Sequence, residues 1–395
     1  MKRRDFLKQT TFASGMFFVP QFLKAFENTN LPVFNQKKVV IIQLKGGNDG
    51  LNTVIPFTND IYYQLRKDIA IQKNDVLQIS DEIGLHKSLS PLQNLYDKGY
   101  VSILNNVGYP NPNLSHFRST DIWQSASDSD EYIQSGWVGR FLDHTNSKSY
   151  NAIEVDDSLS LLLKGETSGL AITNPNLFYK SLREPFFNTI SHQTVDPHLN
   201  EHNLGYLYQT MISAKSSANY IFEKGATKNN TADYPNNAFG NQLKTISQFI
   251  TSGLETQVYY AGLNGFDTHA NQPNTQARLL QNYANCVEVF VNDLEKNNAF
   301  DDVLILTFSE FGRRVKQNQS RGTDHGAANN VFVIGKNLKK QGIYNSHPDL
   351  QDLDRTGNIK YEIDFREIYA TILDKWLGVD DKSILNKDFS KLNFI

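Results

Sequence analysis

The chain has 395 residues, 39 basic against 42 acidic side chains for a formal charge of −3, and 39% hydrophobic residues. The basic residues are dispersed and form no stripe, so the sequence gives no footprint for a nucleic-acid partner. One cysteine, Cys286, excludes an intrachain disulfide, and the length fits one large or two smaller domains.

The chain opens Met1-Lys2-Arg3-Arg4-Asp5-Phe6-Leu7-Lys8, an arginine pair ahead of an apolar stretch from Phe12 to Phe26. This reads as a twin-arginine export signal over residues 1–29, a receptor-read address rather than a fold element. Gly15, Pro20 and Lys24 interrupt the stretch, whereas a spanning helix needs ~20 predominantly apolar residues. No stable membrane span is therefore expected once the signal is removed, and a periplasmic or extracellular location is. Residues 30–395 read as one α/β domain.

Lys38–Leu44 (KVVIIQL) is a near-continuous apolar run, the mark of a parallel strand buried on both faces. GGNDGLNT follows it. Its glycines let backbone turn sharply, and Asp49 there suits a metal ligand or an ordinary Asn-Asp-Gly turn. Val101–Val107 predicts a second strand, and NPNLSHFRST follows that one. Ser115 beside His116 evokes nucleophile and base, although sequence neighbours seldom face each other; Arg118 is placed to hold an anion. Ala152–Val155 predicts a short third strand.

Residues 174–241 are polar and rich in Asn and Ser, with a helical stretch around Leu204–Phe222. They read as an insertion or helical cap over the strand ends. His192, His198 and His202 fall in this segment and read as solvated loop histidines, because Pro197 and Asn203 argue against one continuous helix.

In the C-terminal half, Val258–Leu263, Val303–Phe308 and Val331–Ile334 predict further buried strands. Between the first two, Tyr283, Ala284, Val287, Phe290, Val291 and Leu294 make one apolar helical stripe, on which Cys286 is a packed thiol. A strand–helix–strand unit of this kind predicts a right-handed parallel crossover. Asp267 and His269 alternate as D-x-H, so extended backbone would place both on one side, as ligands or as an oriented acid–imidazole pair. Glu310 and Arg313 follow the next strand, either as a buried ion pair or with the arginine receiving an anion in bidentate fashion. Asp324 and His325, flanked by Gly322 and Gly326, read as a mobile ligand pair or a turn. Asp364 with Glu367 predicts a capped helix running to Trp376 and stopping at Gly378.

The leader, GGNDGLNTVIPF, SHFRSTDIW, SGWVGRFLD, FDTHANQ and TFSEFGRR…GTDHGAAN together resemble, across almost the whole mature chain, an exported bacterial family known as domain of unknown function number fifteen-oh-one. That family is distantly similar to the alkaline phosphatase and sulfatase superfamily. The resemblance implies a three-layer α/β/α fold with a mostly parallel central sheet and a metal-assisted ester site at the strand ends. By position, Asp49 would match the first aspartate ligand, Ser115 the nucleophile, Asp267 and His269 the aspartate–histidine pair, Glu310 the aspartate of Ser-Asp-His-Gly, and His325 the last histidine. Two departures stand out: only Thr268 separates Asp267 from His269, and Phe311 stands where the superfamily has a histidine.

The expected function is an exported metal-dependent hydrolase of a phosphate or sulfate ester, small or polymeric. Asp49, Asp267, His269, Glu310, Asp324 and His325 would hold Zn, Mn or Ca, and Ser115, His116, Arg118 and Arg313 would serve catalysis. The alternative is a non-catalytic exported module of the same fold that binds an envelope polymer, glycan or partner protein.

Overall fold

The computed structural model describes residues 37–185, 203–225 and 232–395. Its central sheet contains β1 (Lys38–Lys45), β2 (Val101–Gly108), β3 (Ala152–Glu154), β4 (Leu170–Ala171), β5 (Val258–Asn264) and β6 (Val303–Phe308). After β6 comes a separate two-stranded hairpin, β7 (Gly312–Gln317) and β8 (Thr323–Gly326). The chain then returns to the sheet with β9 (Asn329–Ile334), β10 (Gly342–Ile343) and β11 (Ile363–Asp364). The spatial order is β10-β2-β9-β6-β1-β5-β3-β4, with β11 beside β2.

Alternation along β1 explains the layering. Val40, Ile42 and Leu44 point to one face, which is covered by α1 (Ser90–Asp97), α5 (Ala238–Thr251) and α6 (Gln272–Lys296). Val39 and Ile41 point to the other, beneath α2 (His116–Ser125), α3 (Trp137–His144) and α7 (Phe365–Thr371). Each fully buried aliphatic side chain of this kind contributes about 1.5–3 kcal/mol, and two covered faces are what a continuous apolar strand requires. The structure is thus the expected three-layer α/β/α arrangement.

The stripe on α6 is buried as predicted, and the strands that α6 joins, β5 and β6, both run parallel to β1 on either side of it. Cys286 is fully buried, and burial pushes its thiol up to about 12. Asp364 caps α7 through the Arg366 amide at 3.0 Å, and Gly378 follows in the left-handed region.

Three expectations change. The strand predicted at Val331–Ile334, β9, runs antiparallel to both its neighbours, β6 and β2; the β7–β8 hairpin between β6 and β9 turns the chain back instead of crossing over. Arg313 therefore lies on β7, and Asp324 and His325 lie on β8 rather than on a loop. Third, the described part of α4 (Asn203–Gly225) packs beside the beginnings of the strands. Tyr220 stacks on Tyr150 with centroids 4.4 Å apart and accepts the Glu255 amide at 3.1 Å, just ahead of β3 and β5. His192, His198 and His202 lie outside the described residues.

Candidate metal centre

Register decides where the site forms. Gln43 pairs with Gly262 of β5 and Phe308 of β6, so Gly46, Phe266 and Ser309 leave the sheet at nearly the same level. Parallel strands gather successive loops at one end, where ligands of such sheets bind. Gly46 makes the close approach: its φ is +119°, and a Cβ there would collide with the Asp267 amide nitrogen. An L side chain fits neither condition.

Over that end, His269 Nε2 lies 2.9 Å from His325 Nε2 and 3.0 Å from Asp267 Oδ1, and His325 Nε2 lies 3.2 Å from the same oxygen. His116 completes the group. Its Nε2 is buried, lies 3.4 Å from Asp267 Oδ2, and has no hydrogen-bond partner. The 3.4 Å contact lies within ion-pair range without the geometry of a hydrogen bond. His116, Asp267 and His325 each bring one ligand atom within 4.8 Å of the others.

Each imidazole is braced from behind. His116 Nδ1 meets Glu310 Oε1 at 2.9 Å, His325 Nδ1 meets the Leu114 carbonyl at 2.8 Å, and His269 Nδ1 lies 3.5 Å from Asp324 Oδ1. A carboxylate or carbonyl on one ring nitrogen leaves the lone pair on the other, the usual outer support of a ligating histidine. Phe311 packs its ring against His116 and His325, with centroids 4.9 and 4.5 Å away. Phe311 thus forms an apolar wall beside the two imidazoles.

The electrostatics follow from these partners. Burial opposes charge on Asp267, but hydrogen bonds from Arg313 and His325 prevail and hold its carboxyl at about 2. The Glu310 hydrogen bond raises the pKa of His116, while burial lowers that of His325. The hydrogen bond from Asn318 lowers that of Asp324.

Six of the ten residues singled out from the sequence take other parts. Asp49 is fully buried; its Oδ2 pairs with Arg66 at 2.6 Å and accepts from Gln272, while its Oδ1 is buried without a hydrogen-bond partner. Glu310 accepts from Gly46 N at 2.8 Å and from His116, and is 2% exposed, so it stands behind the His116 ring. Asp324 stands behind His269. Arg118 donates to the carbonyls of Asp128, Ser129 and Glu131, which uses its fork on a loop. Arg313 donates to the carbonyls of Gly46, Gly47, Phe266 and Thr323 and to Asp267. Arg313 thus donates from all three of its nitrogens within the protein, and Arg118 spends Nε and Nη2 on the loop. His116, read as a base, joins the ligand group. Arg66 and Gln272 were missed: nothing in their sequence neighbourhoods marks them. Ser115 is exposed at the start of α2 and makes no cap bond to the helix.

The donor set fits a divalent cation. Asp267 meets the Arg313 guanidinium, Glu310 meets His116, and Asp324 lies near His269 and Arg314, so carboxylates and imidazoles alternate around the group. Three imidazoles with one carboxylate suit zinc or manganese better than calcium, which takes oxygen ligands.

An α/β sheet carrying an imidazole–carboxylate centre at its strand ends is the class that fold and site define. The chain belongs to the family described as "Protein of unknown function (DUF1501)", which it matches over residues 36–389. Among curated proteins no sequence match reaches significance. Similar solved structures include the lipoteichoic acid synthase LtaP from Listeria monocytogenes, with 9% identity, TM-score 0.41, and coverage of 93% of this chain and 80% of that one. A protein in the alkaline phosphatase superfamily from Vibrio parahaemolyticus has 10% identity, TM-score 0.41, and coverage of 99% and 80%. The PsFucS1 sulfatase from Pseudoalteromonas sp. has 12% identity, TM-score 0.39, and coverage of 94% and 72%. Likenesses at this level carry no argument about the chemistry of this chain.

Proposed function

We propose that the protein is an exported metal-dependent hydrolase of a phosphate or sulfate ester, working with one divalent cation held by His116, Asp267 and His325, with His269 set against Asp267 and His325. The observation that carries this reading is the convergence of three ligand atoms at 2.9, 3.0 and 3.2 Å beside the bare Nε2 of His116. Ligand atoms about 2.0–2.2 Å from one ion lie roughly 3 Å apart. When bound, such an ion supplies Lewis-acid polarisation and charge neutralisation at an ester oxygen.

The rest of the work falls to side chains of this chain. Glu310 and the Leu114 carbonyl fix the rings of His116 and His325 with Nε2 facing inward. Arg313 keeps Asp267 ionised. Ser115, which precedes His116 in the chain, offers a hydroxyl not consumed by capping. Its Oγ bonds to the ester's phosphorus or sulfur, the ester alcohol leaves with a proton, the hydroxyl proton passes to solvent, and water then releases the inorganic anion from Oγ. Phe311 keeps water from one side of the centre. Arg118 and Arg313 are committed elsewhere, so the ester anion is received by the centre itself.

Protein purified without chelators and assayed against aryl phosphates, sulfates and phosphodiesters tests the reading. One equivalent of zinc or manganese, with turnover lost in His269→Ala, is the expected result. Metal-free protein that melts cooperatively and turns over none of the panel would refute it and leave the binding-module alternative.

A further inference from the structure

We infer that Gln272 is a positioning residue for this centre: with Asp49 and Arg66 it fixes the spacing between the segment bearing Asp267 and His269 and the strand bearing His325. The inference rests on the metal-centre reading for its purpose, though not for its contacts.

Gln272 is fully buried in the first turn of α6. Its Oε1 accepts from Thr323 Oγ1 at 2.6 Å and from Thr268 Oγ1 at 3.2 Å. Thr268 is the residue between Asp267 and His269, and Thr323 stands two before His325. One carboxamide oxygen therefore joins both ligand-bearing segments. Its Nε2 donates to Asp49 Oδ2, which Arg66 also holds at 2.6 Å. Arg66 is locked in turn by the carbonyls of Val315 at 2.8 Å and Arg314 at 2.9 Å, both on β7.

The chemistry admits glutamine at this point and little else. Two hydroxyls donate to the amide oxygen and a carboxylate accepts from the amide nitrogen, which also settles the orientation of the amide. Glutamate would set a second carboxylate against Asp49. Leucine would strand two hydroxyls and the carboxylate in a dry interior, where an unpaired polar group is costly. Asp49, read from the sequence as a ligand, becomes the anchor of the clamp, and Arg66 is its fixed partner at 2.6 Å. The segments also meet directly, the Thr323 amide donating to the Thr268 carbonyl at 3.3 Å, and Gln272 braces this weak contact from the core. Ligand geometry tolerates errors of only about 0.5 Å, so a shared brace has a function that two independent loops would lack.

Hydrogen exchange of the metal-free full chain, followed by zinc titration, tests the inference in wild type, Gln272→Leu, Thr323→Val and Thr323→Ser. In the first two variants, exchange should quicken together at 266–270 and 318–326 and stay unchanged in α7. Their zinc affinity should fall about 10–100-fold, the usual loss on removing an outer support. Thr323→Ser, which keeps the hydroxyl, should behave as wild type. Unchanged exchange, a change in one segment alone, a general rise across the sheet, or a Thr323→Ser that matches Thr323→Val would each overturn the clamp. Thr323→Val removes a single bond and keeps the test decisive should Gln272→Leu fail to fold. A wild-type chain that takes up no zinc would refute the metal reading, while the exchange pattern would still decide the clamp.

Discussion

Nε2 of His269 lies 2.9 Å from Nε2 of His325. The Leu114 carbonyl takes the Nδ1 proton of His325, so the Nε2 of that ring presents a lone pair. Two such nitrogens side by side are held either by one shared proton or by one cation. A cation would also use Asp267 Oδ1, which Arg313 already meets at 2.8 Å, and the Nε2 of His116, which a shared proton would leave without a hydrogen bond.

Metal stoichiometry should be one, not two. Elemental analysis of chelator-free protein is expected to give one equivalent, lost in His325→Ala and in His269→Ala. Two equivalents would mean that Asp49 or Glu310 leaves its present partner to bind an ion.

Asp49→Asn should keep that one equivalent, more weakly bound, and lose stability. Arg66 would be left buried without its counter-charge, a loss of about 3–5 kcal/mol for a broken buried pair. Denaturant melts of the metal-free chain read this directly. A variant as stable as wild type but unable to bind metal would restore Asp49 as a ligand.

Ser115→Ala should abolish turnover of any ester in the panel, with metal content and melting temperature unchanged. Retained turnover would assign the attack to water.

Stability should fall on mild acidification through His86, far from the centre in sequence. Burial, with Lys87 adding to it, lowers His86 to about 4, and its Nδ1 accepts the Ser88 amide at 3.1 Å. Between about 6.5 and 4 the unfolded chain binds a proton that the folded chain refuses, so folding weakens as pH drops through that window. The depressed pKa corresponds to on the order of 3 kcal/mol. His86→Asn should flatten this part of the pH–stability curve; an unchanged slope would acquit His86.

Arg3→Lys with Arg4→Lys should strand the precursor inside the cell, as fractionation would show. Normal export of that variant would remove the localisation proposal.

The strands could be read along the chain because burial on both faces forces continuous apolar runs, and Lys38–Lys45, Val258–Asn264 and Val303–Phe308 carry them. The stripe on α6 was legible for a similar reason, its period being set by the helix itself. Asp267, His269 and His325 could be found because carboxylate and imidazole recur just beyond the strands and beside glycines.

Partnership was not legible. Asp49 and Glu310 look alike in sequence, each an acid past a buried strand, yet one is claimed by Arg66 and the other by His116 and the Gly46 amide. The antiparallel course of β9 escaped for a related reason, since a short apolar run has no direction.

The sequence by itself determined the layers and the supply of acids and imidazoles at one end of the sheet, because periodicity and composition are local properties. Only the tertiary structure decided which of those groups face one another and which are spent on Arg66 or on backbone carbonyls. Such pairing depends on distances between segments remote from one another in the chain, and no local pattern encodes them.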